Sequence, residues 1–210
     1  MVETRDMAYV FDFSGERLCL DFVNTLSNRT TSVPEEHLNV YTDLLAWSRQ
    51  AGIVDEQGIE QLRTLGEEQS GQAARKAEQA RQTRELLFKI FSALTREQVP
   101  RQEDLEQFNA LLAAAMKHTR IAPGGEGFVW EWSEDQDRLE LPLWFVVRDA
   151  AELLTSRELG RVRTCASEDC DWLFLDTSKN HSRRWCAMNS CGNRAKARRH
   201  YSRKKGSEAG

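Results

Sequence analysis

"CASEDCDWLFLDTSKNHSRRWCAMNSC", residues 165–191, holds four of the chain's five cysteines. They fall as two matched pairs, Cys165 with Cys170 and Cys186 with Cys191, each spaced by four residues and separated by fifteen. Four thiolates in two pairs suit a tetrahedral zinc ion, which needs four ligands and brings no redox chemistry of its own. The paired cysteines form two knuckles, "WLFLD" between them offers a short strand, and a helix can start after Cys191. Such a fold buries little core, so the metal has to supply its folding energy, about 10–16 kcal/mol in zinc-finger peptides near neutral pH. An iron–sulfur cluster usually shows a tighter run of cysteines. A disulfide pair is disfavoured in a reducing cytoplasm, the expected compartment for a chain whose start shows no secretory signal. The expectation is one structural Zn2+ on Cys165, Cys170, Cys186 and Cys191. A closed tetrahedron leaves no position for a catalytic water. Cys19, alone in an apolar segment, reads as a core thiol.

Downstream of the last ligand the chain turns basic. Residues 179–205 hold ten Lys or Arg and no Asp or Glu, although the whole chain carries a net charge of −4. Residues 1–160 carry 17 basic and 28 acidic side chains, a net of −11, against +7 for residues 161–210. This asymmetry points to an attached segment for a polyanion. "RAKARRHYSRKK" contains good helix formers, with Asn193 placed to cap its start. A helix of this length, charged on all sides, is marginal alone, so an anchor at its first turn matters. The candidate nucleic-acid contacts are Arg183, Arg184, Arg194, Lys196, Arg198, Arg199, Arg203, Lys204 and Lys205, suited to phosphates and, through arginine, to guanine edges. The bland alternative is a solubilising tail. Trp172 and Trp185 read as packing around the metal module rather than as stacking platforms.

Upstream, the texture is helical. Apolar residues recur at helical spacing from Leu18 to Leu26, from Leu38 to Trp47 ahead of Gly52, and from Ile59 to Leu65. Further helices are expected over 70–98, ended by Pro100, over 102–116, and from Pro142 to about Leu159. Tyr9, Phe11 and Phe13 alternate as a strand would, and so do Phe128, Trp130 and Trp132. No apolar run approaches the ~20 residues of a membrane span. The predicted fold class is α+β, mainly α. A helical N-terminal domain with a few short strands (1–160) precedes a small zinc module (161–210), with the boundary near Gly160. Asp21, Asn24 and Thr25 interrupt the apolar segment "LDFVNT" and are candidates either for a ligand pocket or for buried structural hydrogen bonds, the latter being favoured. No phosphate loop, nucleophile elbow or dinucleotide fingerprint is present, so no enzyme is expected.

"GERLCLDFVNTL" (15–26) and the C-terminal stretch with both cysteine pairs, Trp172, Phe174, Asp176, Ser178, Asn180, Arg183, Trp185 and Cys191-Gly192-Asn193-Arg194 resemble ABATE-domain proteins with a CGNR zinc finger. The resemblance spans the chain in order, and its weight lies in the last 45 residues. It implies a mixed, mainly helical N-terminal domain, a treble-clef or ribbon-like zinc module, and a role in stress-related transcription regulation. The expected partner is double-stranded DNA, with structured RNA or a protein as alternatives. The N-terminal domain is expected to sense a small-molecule effector or to mediate association, for instance as a homodimer. An enzyme with its site in the helical domain is the least favoured alternative.

Overall fold

In the computed structural model, described over residues 9–29, 31–133, 138–198 and 201, the first described segment, residues 9–13, stays outside any sheet. The strand expected at Tyr9–Phe13 does not form: among the described residues no backbone pairs with it. The Gln50 side chain takes the neighbour's place: its Oε1 accepts from Phe11 N at 2.9 Å and its Nε2 donates to Tyr9 O at 2.8 Å. A side-chain amide carries one donor and one acceptor face, which is what an extended backbone presents.

Helix α1 (Leu18–Val23) follows, shorter than its apolar spacing suggests, and is buried at every position from Cys19 to Val23. A two-residue ladder of β1 (Leu26–Ser27) and β2 (Glu35–Glu36) closes the next loop. Helix α2 (Tyr41–Gln50) ends as expected at Gly52, whose φ of 69° is a left-handed conformation that costs glycine nothing. Helix α3 (Glu56–Glu68) starts at Asp55, whose side chain accepts from Gly58 N at 2.8 Å. The long α4 (Ser70–Thr95) stops three residues before its predicted end, where Glu97 turns to a φ of 58°. Helix α5 (Gln102–Met116) matches expectation. The alternating aromatics form β4 (Gly127–Trp132), paired antiparallel with β3 (Thr119–Gly124). Helix α6 (Leu141–Thr155) carries Pro142 in its first turn and ends at extended Ser156, short of Leu159.

The core gathers around α1. Leu20, Phe22, Trp47, Leu87, Ile90, Phe91, Val146 and Leu153 are buried together, with α1 packed on both α4 and α6. Arg84 of α4 is buried as well, and its guanidinium forms two 2.6 Å bonds to the Glu36 carboxylate. That bidentate pair fastens the β1–β2 loop over the helix and compensates the charge it buries.

The last layer is the hairpin of β5 (Val162–Thr164) and β6 (Leu173–Leu175), in register Val162 to Leu175 and Thr164 to Leu173. Successive side chains of a strand point to opposite faces. Leu173 and Leu175 accordingly join the helical core, while Phe174 packs among Cys165, Cys186 and Cys191. One three-residue strand therefore serves two cores. Its outer edge is covered by the N-terminal segment: Asn24 Nδ2 donates to Leu173 O and Leu173 N donates to Asn24 Oδ1, both at 2.9 Å, and Leu175 N donates to Gly15 O at 2.9 Å.

Candidate metal centre and basic surface

The four cysteines converge although they come from four different local structures. Cys165 directly follows β5, and its N–H closes the hairpin loop by donating to Trp172 O at 2.8 Å. Cys170 sits in a tight turn, with its N–H on Ser167 O at 3.1 Å. Cys186 follows an extended stretch held to the first knuckle by Ala166 N on Arg184 O at 2.8 Å. Cys191 lies in the single π-turn Met188–Gly192 that opens into the basic helix. All four Sγ atoms lie within 4.8 Å of one another. The Cys170–Cys186 separation is 3.8 Å and the Cys186–Cys191 separation 3.7 Å. A zinc ion with Zn–S bonds of about 2.3 Å requires sulfur atoms about 3.8 Å apart. The donor set and its spacing fit zinc, and four protein ligands close the site to chemistry.

Without a cation, four sulfurs this close share protons unevenly. Hydrogen bonds from Cys170 and Cys186 hold the Cys165 thiol low, while their bonding to Cys165 pushes those two up. A divalent cation removes that conflict by favouring every thiolate at once. Four thiolates around Zn2+ leave two formal negative charges, and Arg194 answers one of them. Its Nη2 donates to Cys191 Sγ at 3.0 Å, and the same bond holds the guanidinium in its charged form. Trp172 and Trp185 pack against the cysteine cluster, as expected.

The other predicted basic contacts divide in ways their charge alone does not reveal. Arg183 points inward. Its guanidinium lies 4.6 Å from the Phe174 ring centre, donates to Trp185 O at 3.0 Å and to Ser14 O at 2.8 Å, reaches Cys186 O, and pairs with Glu16 at 3.2 Å. It is a strut between the second knuckle and the N-terminal segment. Beside it, Asp176 is buried. Burial pushes its pKa up, but hydrogen bonds from Ser178 and from Arg183 N prevail and hold it low. Arg184 is exposed with its guanidinium 5.5 Å from the Trp185 ring centre. Residues 193–198 are helical, and Lys196 on that helix is exposed. Arg198 is exposed too, but pairs with Asp169 and, at 3.1 Å, with Glu168 of the first knuckle. Arg199, Arg203, Lys204 and Lys205 lie outside the described residues.

Asp21, Asn24 and Thr25 are all buried, and their side chains bond to the protein itself. Asp21 Oδ1 accepts from Gly15 N at 2.7 Å, close enough that a Cβ on residue 15 would collide with it. Burial pushes the Asp21 carboxyl up to about 7. Thr25 Oγ1 donates to Phe22 O at 2.7 Å and accepts from Arg84 at 3.3 Å, and Asn24 is committed to Leu173. The hydrogen bonds of all three side chains are thus made within the protein. Cys19 is fully buried, and burial raises its thiol well above the usual range. Sequence reasoning missed the strut of Arg183, the Asn24 clamp and the sulfur contact of Arg194. Only the run of three apolar residues Leu173-Phe174-Leu175 hinted that this strand is buried on both faces.

No helix among the described residues is long and apolar enough to cross a membrane. A search of curated proteins gives no match. Residues 16–157 match the model of the ABATE family, described as "Putative stress-induced transcription regulator", and residues 161–204 match the CGNR zinc finger. That first match covers more than half of the 210 residues, and the second contains all four converging sulfurs. The chain belongs to the ABATE family and carries a CGNR zinc finger built to hold one structural zinc.

Proposed function

We propose that this protein is a cytoplasmic, DNA-binding transcription regulator rather than an enzyme, gripping duplex DNA through the basic helix that starts at the zinc site. The observation that carries the reading is the start of that helix: residues 193–198, inside an acid-free run from Lys179 to Lys205, are tied at their first turn by Arg194 to Cys191. Anchoring offsets the nucleation cost that a short charged helix cannot meet alone. The helix then presents cations in a fixed array, which is what a regular line of phosphates selects.

The arrangement refines which cations do this. Arg183 and Arg194 are engaged in holding the module together, so their loss acts through the fold. Arg184 and Lys196 are exposed, and with Arg199, Arg203, Lys204 and Lys205 they form the phosphate-contacting set. Arg198 exchanges Glu168 and Asp169 for phosphate on binding. Residues 1–160 form the sensing or association unit and residues 161–210 the DNA-contacting unit, meeting near Gly160.

The test is the salt dependence of binding by the zinc-loaded chain. With about four of these seven cations on phosphate at once, the slope is roughly −3.6 in log affinity against log salt, so threefold more salt weakens binding about fiftyfold. Lys196→Ala should lower the slope by about 0.9 without changing sequence preference. Salt-independent binding would refute the reading, and competition among duplex DNA, structured RNA and single strands identifies which nucleic acid is preferred.

A further inference from the structure

The β3–β4 ribbon is amphipathic in a way the rest of the fold does not use. Directly paired residues of an antiparallel ladder share a face. The register Thr119–Trp132, Ile121–Trp130, Pro123–Phe128 therefore puts six uncharged residues on one side. The other side carries Ala122–Val129 and the pair Arg120–Glu131, whose side chains meet at 2.7 Å. At the base of the apolar face Trp132 is covered, packing on Trp144 and Phe145 of α6. Farther out the same face is bare: Ile121 is 55% exposed, Trp130 50% and Phe128 78%. A sheet with one hydrophobic face needs a second layer, and a two-stranded hairpin alone is at best marginally stable in water.

We infer that this face is a homodimer interface, covered by the same face of a second copy stacked across a two-fold axis. Two observations choose that occupant. The first is charge. Residues 117–138 contain five acids against three Lys or Arg, a net of −2, which disfavours nucleic acid or an anionic membrane as the partner. The face itself carries no charge, so two copies can meet without stripping water from an ion. The second is area. At ~150–250 Å² per aromatic, Phe128 and Trp130 together leave roughly 250 Å² accessible, and Ile121 and Pro123 extend this. Two such faces withdraw roughly 800 Å² from water, about half of a standard stable interface. That size fits a weak, reversible dimer rather than an obligate one. The inference does not rest on DNA binding, and it is measured without DNA.

The experiment is sedimentation velocity on the full, zinc-loaded chain from about 1 to 200 μM, the range in which weak, reversible dimers form and dissociate. The wild type should pass from monomer to dimer. Phe128→Asp and Trp130→Asp should each weaken the dimer at least thirtyfold, as loss of a central aromatic does. Arg120→Ala, on the opposite face, should leave it unchanged. Because copies of net charge −4 repel, added salt should favour the dimer slightly. In the unsubstituted chain, amide exchange over residues 119–132 should slow as concentration rises, which tests the inference independently of any variant's folding. A wild type that stays monomeric overturns it, as does a dimer that survives both aspartate substitutions. A dimer that salt dissociates also overturns it, because that would point to the basic tail of a second copy as the occupant.

Discussion

Replacing Asn24 by alanine should weaken the whole protein, not one end of it. The Asn24 amide supplies both bonds to the Leu173 backbone at the outer edge of β6, each 2.9 Å long, and that site is buried. Alanine leaves one N–H and one C=O without partners. A buried backbone group stranded in this way costs about 1–3 kcal/mol, so the pair amounts to about 2–6 kcal/mol. For a chain of this length each kcal/mol moves the melting temperature about 2–4 °C, so a fall of roughly 4–24 °C is expected. Urea denaturation should be followed twice, by far-ultraviolet circular dichroism and by zinc release to a metallochromic dye. Because Leu173 and Leu175 sit in the helical core and Phe174 among the cysteines, both midpoints should fall together. Asn24→Asp separates the two bonds. It keeps the acceptor for Leu173 N but turns a carboxylate oxygen toward Leu173 O, so at neutral pH it should be at least as damaging. Acidification should restore part of the loss, since a protonated carboxyl can donate. A stability change below about 0.5 kcal/mol, the usual scale for a surface substitution, would falsify the clamp. An unmoved zinc-release midpoint would show that the strand does not couple the two cores.

Further outcomes follow from neighbouring groups. Asp21, with its pKa pushed to about 7 in the fold against an ordinary 3.8, binds a proton more tightly folded than unfolded. It therefore destabilises progressively as pH rises from about 4 to 7, with the full cost above that window. Asp21→Asn, which can still accept from Gly15 N, should gain stability up to roughly 4 kcal/mol at pH 8 and almost none at pH 4 in urea titrations. Metal analysis should give about one zinc per chain, and Cys191→Ser should lose most of it while Cys19→Ser keeps it. Arg194→Ala removes the donor to Cys191 Sγ and should weaken zinc binding about 10–100-fold in chelator competition, the range for such supporting contacts. Arg183→Ala should expose the second knuckle to protease before the helices melt, since it frees Ser14 O, Trp185 O and Cys186 O together.

The sequence by itself determined what depends on residue type and local spacing. Four thiols in two equal pairs have one common metal chemistry, and apolar residues at helical period need a helix to share a face. The zinc ligands and most helices were legible for that reason. So was the cap at Gly52, where a positive φ has an evident residue to fill it. Tertiary structure decided what depends on which distant groups meet. Tyr9–Phe13 has the alternation of a strand, yet its neighbour is the Gln50 side chain, 39 residues away from Phe11, and no periodicity encodes that. Asn24 and Leu173 are 149 residues apart, so a polar residue in an apolar helix could not be distinguished from a pocket wall until its partner was placed. The arginines show the same limit in charge. Arg183, Arg184, Arg194 and Arg198 contribute equally to a basic run, but one braces two segments, one lies by an indole, one bonds a sulfur and one pairs with acids. Charge is a property of the residue, whereas its use is set by the dielectric and the partners around it, and those exist only once the chain has folded.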